Sequence, residues 1–185
     1  MQETVAATMV RLSDWNGENT LYDPMCGSGT ILCEALMKYC KIPAGYLRDG
    51  FGFEYLPDFD EKLWQKVKNA CDAQIRKLEA GAIKGSDISP KMVHIARKNC
   101  ANLPYGDRIV VSVKPFQKID SLENSTIIVN PPFGVRMKNE KKLKDFYIEF
   151  SKWLKNSASG SKVLVYSGKP KLLDNIWMRS DWEKK

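Results

Sequence analysis

Two periodicities alternate along the chain. Helix-type spacing of apolar residues predicts helices over Glu3–Leu12, Thr30–Tyr39, Ser89–Asn102 and about Glu140–Asn156, the last with Phe146, Phe150, Trp153 and Leu154 turned inward. A longer helix is expected from a cap at Asp58 or Asp60 to about Glu79, with Leu63, Val67, Ala70, Ile75 and Leu78 on its apolar side. It follows an irregular aromatic stretch (Tyr46, Phe51, Phe53, Tyr55) and reads as an insertion. Short β-type runs predict strands at Thr20–Tyr22, Ala82–Gly85, Arg108–Val113, Thr126–Val129 and Lys162–Tyr166. Strands alternating with helices imply an α/β fold with a doubly wound, mainly parallel sheet. Past Gly168, the residues Leu172, Leu173, Ile176 and Trp177 recur at helix-like spacing and are expected to cover the edge of the fifth strand.

At 185 residues and 43% hydrophobic content, the chain can bury one sizeable core, and a single domain over residues 1–185 is expected. No apolar stretch approaches the ~18 to 20 residues needed to cross a bilayer, and no signal peptide is evident, so no membrane association and a cytoplasmic location are expected. Five cysteines without CxxC spacing, accompanied by a single histidine, His94, suit free thiols rather than a disulfide framework. Cys33 and Cys40 would share a helix face, but Leu36 lies on the same face and packing accounts for both. No metal site is expected.

Charge is uneven. Between Arg136 and Lys171 ten basic residues face only Glu140, Asp145 and Glu149, and this stretch carries the whole net charge of +7. Arg136, Lys138, Lys141, Lys142 and Lys144 are therefore candidates for binding nucleic-acid phosphates, with a solvated helix face as the plain alternative.

Three segments carry candidate chemistry. Asp23-Pro24-Met25-Cys26-Gly27-Ser28-Gly29-Thr30 falls at a strand-to-helix junction, where open α/β sheets bind ligands, and its two glycines permit close backbone approach. A P-loop would need Gly-Lys-Ser/Thr, and a dinucleotide fingerprint would need a glycine where Leu32 stands, so both are excluded. An acidic residue opening the loop suits a ligand with a cationic end, and Asp23 could face an amino-acid ammonium. Gly85-Ser86-Asp87 ends the second strand, and Asp87, followed by Ile88, could accept both ribose hydroxyls or else cap the next helix. Asn130-Pro131-Pro132-Phe133-Gly134 follows the fourth strand. Its prolines hold the Asn130 side-chain oxygen and the following carbonyls rigidly, as suits an exocyclic amine, and Phe133 could stack on the base.

Together these segments resemble the class I methyltransferases, and specifically the UPF0020 RNA methylase family, the catalytic domain of THUMP-type RNA guanine-N2 methyltransferases. The likeness includes Glu3-Thr4-Val5-Ala6-Ala7, the Asp23 to Thr30 loop with Glu34, Gly85-Ser86-Asp87, and Asn130 to Gly134 with Arg136, and covers roughly residues 2–175. It implies a Rossmann-like sheet in the order 3-2-1-4-5. It implies S-adenosylmethionine as cofactor, held by Asp23, Pro24, Cys26, Gly27, Ser28, Gly29, Thr30, Asp87 and Ile88, with Asn130, Pro131, Pro132 and Phe133 presenting a base amine. The implied substrate is ribosomal or transfer RNA, recruited with the help of a separate domain or subunit. Transfer would be a direct displacement at sulfur without a covalent intermediate.

Two departures stand against the family pattern. Relatives usually carry an acidic residue after the third strand that meets the adenine amino group, where this chain reads Lys114-Pro115-Phe116-Gln117; Phe116 or Gln117 could substitute. The upstream THUMP domain and the final β-hairpin are missing from this sequence, so a domain truncated at both ends relative to the family is expected. The alternatives are a DNA adenine-N6 or protein glutamine-N5 methyltransferase, and a non-catalytic RNA-binding or scaffold subunit of the same fold.

Overall fold

The computed structural model describes residues 1–132 and 140–183. Strands β1 (Leu21–Asp23), β2 (Ile83–Asp87), β3 (Val110–Val113), β4 (Thr126–Val129) and β5 (Lys162–Val165) form one parallel sheet in the order β3-β2-β1-β4-β5. This is the doubly wound order expected of a Rossmann-like class I methyltransferase fold. The chain runs outward from β1 through β2 to β3 and then returns to β4, so the order reverses beside β1. Open α/β sheets form their ligand crevice at such a switch point, outside the carboxyl ends of the strands.

Both faces of the sheet are covered, and β1 and β4 at its centre are accordingly buried along their whole length. In β4 the alternation is legible in the packing. Ile128 joins the core formed with α1 (Glu3–Leu12), α2 (Thr30–Cys40) and α4 (Pro90–Ala101), while Ile127 and Val129 join the one formed with α5 (Glu140–Ser157). Leu21 and Tyr22 of β1 divide in the same way. On the α5 side, Phe116, Phe150 and Trp153 pack as a ring cluster with centroids 5.4 to 5.6 Å apart, and the Trp153 indole donates to the Ile119 carbonyl.

The inserted helix departs from expectation. It starts as predicted, with Asp60 accepting from the Leu63 amide, but α3 (Glu61–Asp72) ends well short of Glu79. Beyond it the chain is held by Arg76, whose amide and guanidinium donate to the Cys40 and Tyr39 carbonyls and whose charge sits 4.2 Å from the Tyr39 ring centroid. These tertiary interactions outweigh helix propensity. Leu63, Val67 and Ala70 are exposed rather than inward, with Leu63 59% accessible, while Ile75 and Leu78 do pack inward from the non-helical stretch. Trp64 of this helix is half-buried, edge-on to Phe51 and Phe53.

The tail differs as well. Pro170–Asn175 is a 3-10 turn instead of an α-helix, and it docks on α5, where Ser151 accepts from the Trp177 amide. Ile176 packs on the α5-side core and Leu164 of β5 is buried. No helix among the described residues is long and apolar enough to cross a membrane.

Candidate functional site

The three sequence segments meet at the carboxyl edge of the sheet. Asp23 closes β1 in register with Gly85, Asp87 closes β2, and Asn130 follows the last residue of β4. Parallel pairing puts all three at the same end.

The loop after β1 is tied down from several sides. The Met25 amide donates to Asp23 Oδ1 (3.0 Å), the Cys26 amide to the Ser86 carbonyl (2.9 Å), and the Gly27 amide to Asp87 Oδ2 (3.0 Å). Asn99 of α4 donates to the Ser28 carbonyl at 2.9 Å. Gly27 and Gly29 have φ of +54° and +84°, where a side chain is strained, and a Cβ on Gly29 would come within 3.1 Å of the Ala96 methyl. Only glycine allows α2 to start this close to α4. Ser28 Oγ and Thr30 Oγ1 lie 3.3 Å apart at the helix start.

Asp87 does not take the capping role that was its alternative. Ser89 is the N-cap of α4, accepting from the Met92 amide, so Asp87 is not the cap; it accepts from the Ser89 amide at 2.9 Å just ahead of it. With one N–H on each oxygen, the carboxylate keeps acceptor capacity for further donors. Ile88 beside it is 72% exposed, an apolar surface at the mouth of the crevice.

Asp23 lies beneath the loop, 1% exposed, and burial pushes its carboxyl up to about 8, with the nearby Asp87 charge adding and the Met25 N–H opposing. A cationic group brought to this edge would favour the ionised form. The Cys26 thiol is pushed well up by burial and then by the Asp23 and Asp87 charges, which makes it a poor nucleophile.

Asn130 is half-buried, and its Oδ1 is shut off from solvent with no hydrogen-bond partner among the described residues. Such an orphan acceptor costs about 1 to 3 kcal/mol unless a ligand supplies the donor. The strand behind it is fixed, since the Tyr166 amide donates to the Val129 carbonyl. Pro131 is buried and Pro132 half-buried. Phe133, Gly134, Arg136 and Lys138 lie outside the described residues. Lys141, Lys142 and Lys144 are exposed in the first turns of α5.

A family model, UPF0020, described as the RMKL-like methyltransferase domain, matches residues 1–185. The chain belongs to the UPF0020 family. It is 34% identical over 188 residues to the ribosomal RNA large subunit methyltransferase K/L of Aliivibrio fischeri, covering 98% of this chain and 26% of that protein. Among solved structures it is similar to SMU.472, described as a methyltransferase and solved with S-adenosylhomocysteine (TM-score 0.86, 29% identity, 97% of this chain and 48% of that one). It is also similar to a Listeria monocytogenes protein described as an N6-adenine-specific DNA methylase (TM-score 0.89, 25% identity, 100% of this chain and 48% of that one). The chain thus spans about a quarter of the ribosomal RNA relative and about half of each solved chain.

In this UPF0020 domain the stretch after β3 turns its aromatic side chain into the core. Phe116 is 4% exposed and packs edge-on against Phe146 and Phe150, so it is not available to an adenine ring, contrary to expectation. Gln117 is exposed, and Lys114 pairs with Asp120 at 3.5 Å. Sequence reasoning missed the hydrogen bonds that Asn99 and the Ser86 carbonyl make to the loop. Neither has a local signature, because both depend on which helix and strand pack beside the loop. Cys33 and Cys40 do not converge as a ligand pair: Cys40 is buried in the core and Cys33 faces Cys100, and no cluster of three metal-ligating side chains occurs among the described residues.

Proposed function

We propose that this chain binds S-adenosylmethionine at the carboxyl edge of β1 and β2 and transfers its methyl group to an exocyclic amino group of an RNA base, guanine N2 of ribosomal or transfer RNA in the first instance. The observation that carries the reading is the buried Asn130 Oδ1, without a hydrogen-bond partner among the described residues, at the same sheet edge as the loop braced by Asp87. An acceptor followed by two prolines, and lacking a donor among the described residues, suits an amine N–H. Hydrogen bonding there draws the nitrogen lone pair out of conjugation with the ring and aims it for attack.

The residues fit the cofactor. Asp87 retains acceptor capacity for a ribose diol, exposed Ile88 offers an apolar face to a purine, and Asp23 provides a carboxyl whose ionisation an ammonium would promote. When bound, the cofactor supplies a methyl group activated by its sulfonium. Asp23, Pro24, Cys26, Gly27, Ser28, Gly29 and Thr30 shape the loop around it, and Asn130, Pro131, Pro132 and Phe133 present the base. The amine's proton leaves to solvent after transfer, and no protein nucleophile takes part, in keeping with the protonated Cys26.

RNA is favoured by the name of the Aliivibrio relative and by the exposed lysines that open α5. Lysines at a helix N-terminus oppose the helix dipole, an arrangement that phosphate anions relieve. A separate recruiting domain or subunit would extend this surface, and the reading assigns the reaction to the cytoplasm. The name of the Listeria neighbour favours a second reading, methylation of adenine N6 in DNA. Transfer of labelled methyl from S-adenosylmethionine to total RNA and to DNA in parallel tests both: label in guanine N2 of RNA is expected, and label confined to DNA adenine would replace this reading with the second.

A further inference from the structure

The close approach of Gly29 to Ala96 under the loop is one rung of a longer seam. Gly29 and Cys33 stand four residues apart on α2, with the Cys33 amide donating to the Gly29 carbonyl, so they share a face. Ala96 and Cys100 stand four apart on α4. The next rung along this seam is therefore Cys33 against Cys100, and their sulfurs lie 3.8 Å apart as free thiols. Cys100 is buried and Cys33 half-buried, so Cys33 is the more accessible of the two residues. No part of the proposed methyl transfer uses either.

We infer that Cys33 and Cys100 form a redox-responsive thiol pair which a hydroperoxide converts to a disulfide, and that this linkage weakens cofactor binding at the neighbouring loop. Either thiol can donate across the 3.8 Å contact; with Cys100 as the donor the hydrogen bond favours the Cys33 thiolate, while that bond and burial keep Cys100 protonated. With hydrogen peroxide as the oxidant, the Cys33 thiolate attacks one peroxide oxygen; the S–O bond forms as the O–O bond breaks, and the leaving hydroxide takes back from solvent the proton that Cys33 released and departs as water. Cys100 then gives up its proton and attacks the Cys33 sulfur, forming S–S, breaking S–O and releasing a second water. The two sulfurs lose two electrons and the peroxide gains them. The sulfurs must close from 3.8 Å to about 2 Å. One turn away the helices already touch through a glycine that has no atom to yield, and Asn99, adjacent to Cys100, holds the Ser28 carbonyl. The closure is therefore passed to Gly27–Thr30.

The loss of affinity rests on the proposed cofactor site; the linkage itself does not. The test is to treat the full chain, carrying Cys71→Ser to remove the exposed thiol, with hydrogen peroxide, followed by peptide mass mapping without reductant and calorimetry with S-adenosylhomocysteine. A Cys33–Cys100 peptide two hydrogens lighter is expected, reversible by thiol, with affinity reduced by about fivefold or more. Cys33→Ala and, independently, Cys100→Ala should leave affinity insensitive to peroxide. Sulfinic acid on Cys33 without linkage, or linkage with unchanged affinity, overturns the inference. A reduced chain that does not bind S-adenosylhomocysteine would overturn the cofactor reading instead, and the mass map would still decide the thiol pair.

Discussion

Asn130 and Asp87 are both polar residues at strand ends, yet the structure leaves them in opposite states: Asn130 Oδ1 has no donor among the described residues, and both Asp87 oxygens are engaged by loop amides. Asn130→Ala should therefore lower methyl transfer on the order of 100-fold while cofactor affinity stays within about threefold, as steady-state kinetics and calorimetry would show. Normal turnover would remove Asn130 from the reaction. Asp87→Ala should weaken cofactor binding, each charged hydrogen bond being worth about 1.5 to 3 kcal/mol, and should also release the Gly27 amide. Asp23 makes a third case. Its folded-state pKa is raised to about 8, so the native state holds a proton that the unfolded chain has already lost. The stability this contributes is present below the unfolded value of about 4 and is lost as pH rises toward about 8. Urea denaturation should show stability falling across that window, and Asp23→Asn, which does not titrate, should flatten the fall. An unchanged slope would mean that Asp23 is ionised where it lies.

At the scale of elements, α3 and α5 show how one periodicity can mean two things. Both are amphipathic, but α5 seats Phe150 and Leu154 in the core, while α3 leaves Leu63 and Val67 outside. Leu63→Ala should change stability by less than about 0.5 kcal/mol, whereas Phe150→Ala should cost about 3 to 5 kcal/mol, both read by denaturant midpoint. The exposed side of α5 is tested by salt. Neutralising Lys141, Lys142 and Lys144 together should flatten the dependence of RNA binding on salt, by about 0.7 in log–log slope for each single-strand phosphate that is no longer neutralised. A slope equal to that of the unaltered chain would make these lysines a solvated face.

For the molecule as a whole, the loop, Asp87 and Asn130 belong to different strand ends and are brought together only in the folded sheet, so occupancy of the site should be linked to global stability. Saturation with S-adenosylhomocysteine at about 100 times its dissociation constant should add roughly 2.7 kcal/mol, a rise of about 5 to 10 °C in melting temperature at this size. The Asp87→Ala chain should show little of that rise. An equal rise in the two would place the ligand elsewhere.

How much of this the sequence determined follows from how local each feature is. Most strand and helix positions and the glycine loop were legible because each rests on side-chain period or on backbone freedom within a few residues. The strand ends shifted by a residue or two: β2 extends to Asp87 and thereby sets it on the sheet edge. Only the tertiary structure decided the rest. Arg76 cuts α3 short by binding the end of α2, Phe116 is drawn into the α5 core and away from the crevice, and the tail settles on α5 as a 3-10 turn. Asn99 reaches the loop, and Cys33 meets Cys100, because α2 and α4 pack side by side along a glycine. Each of these depends on interactions between segments far apart in the chain, whose free energy no local pattern encodes.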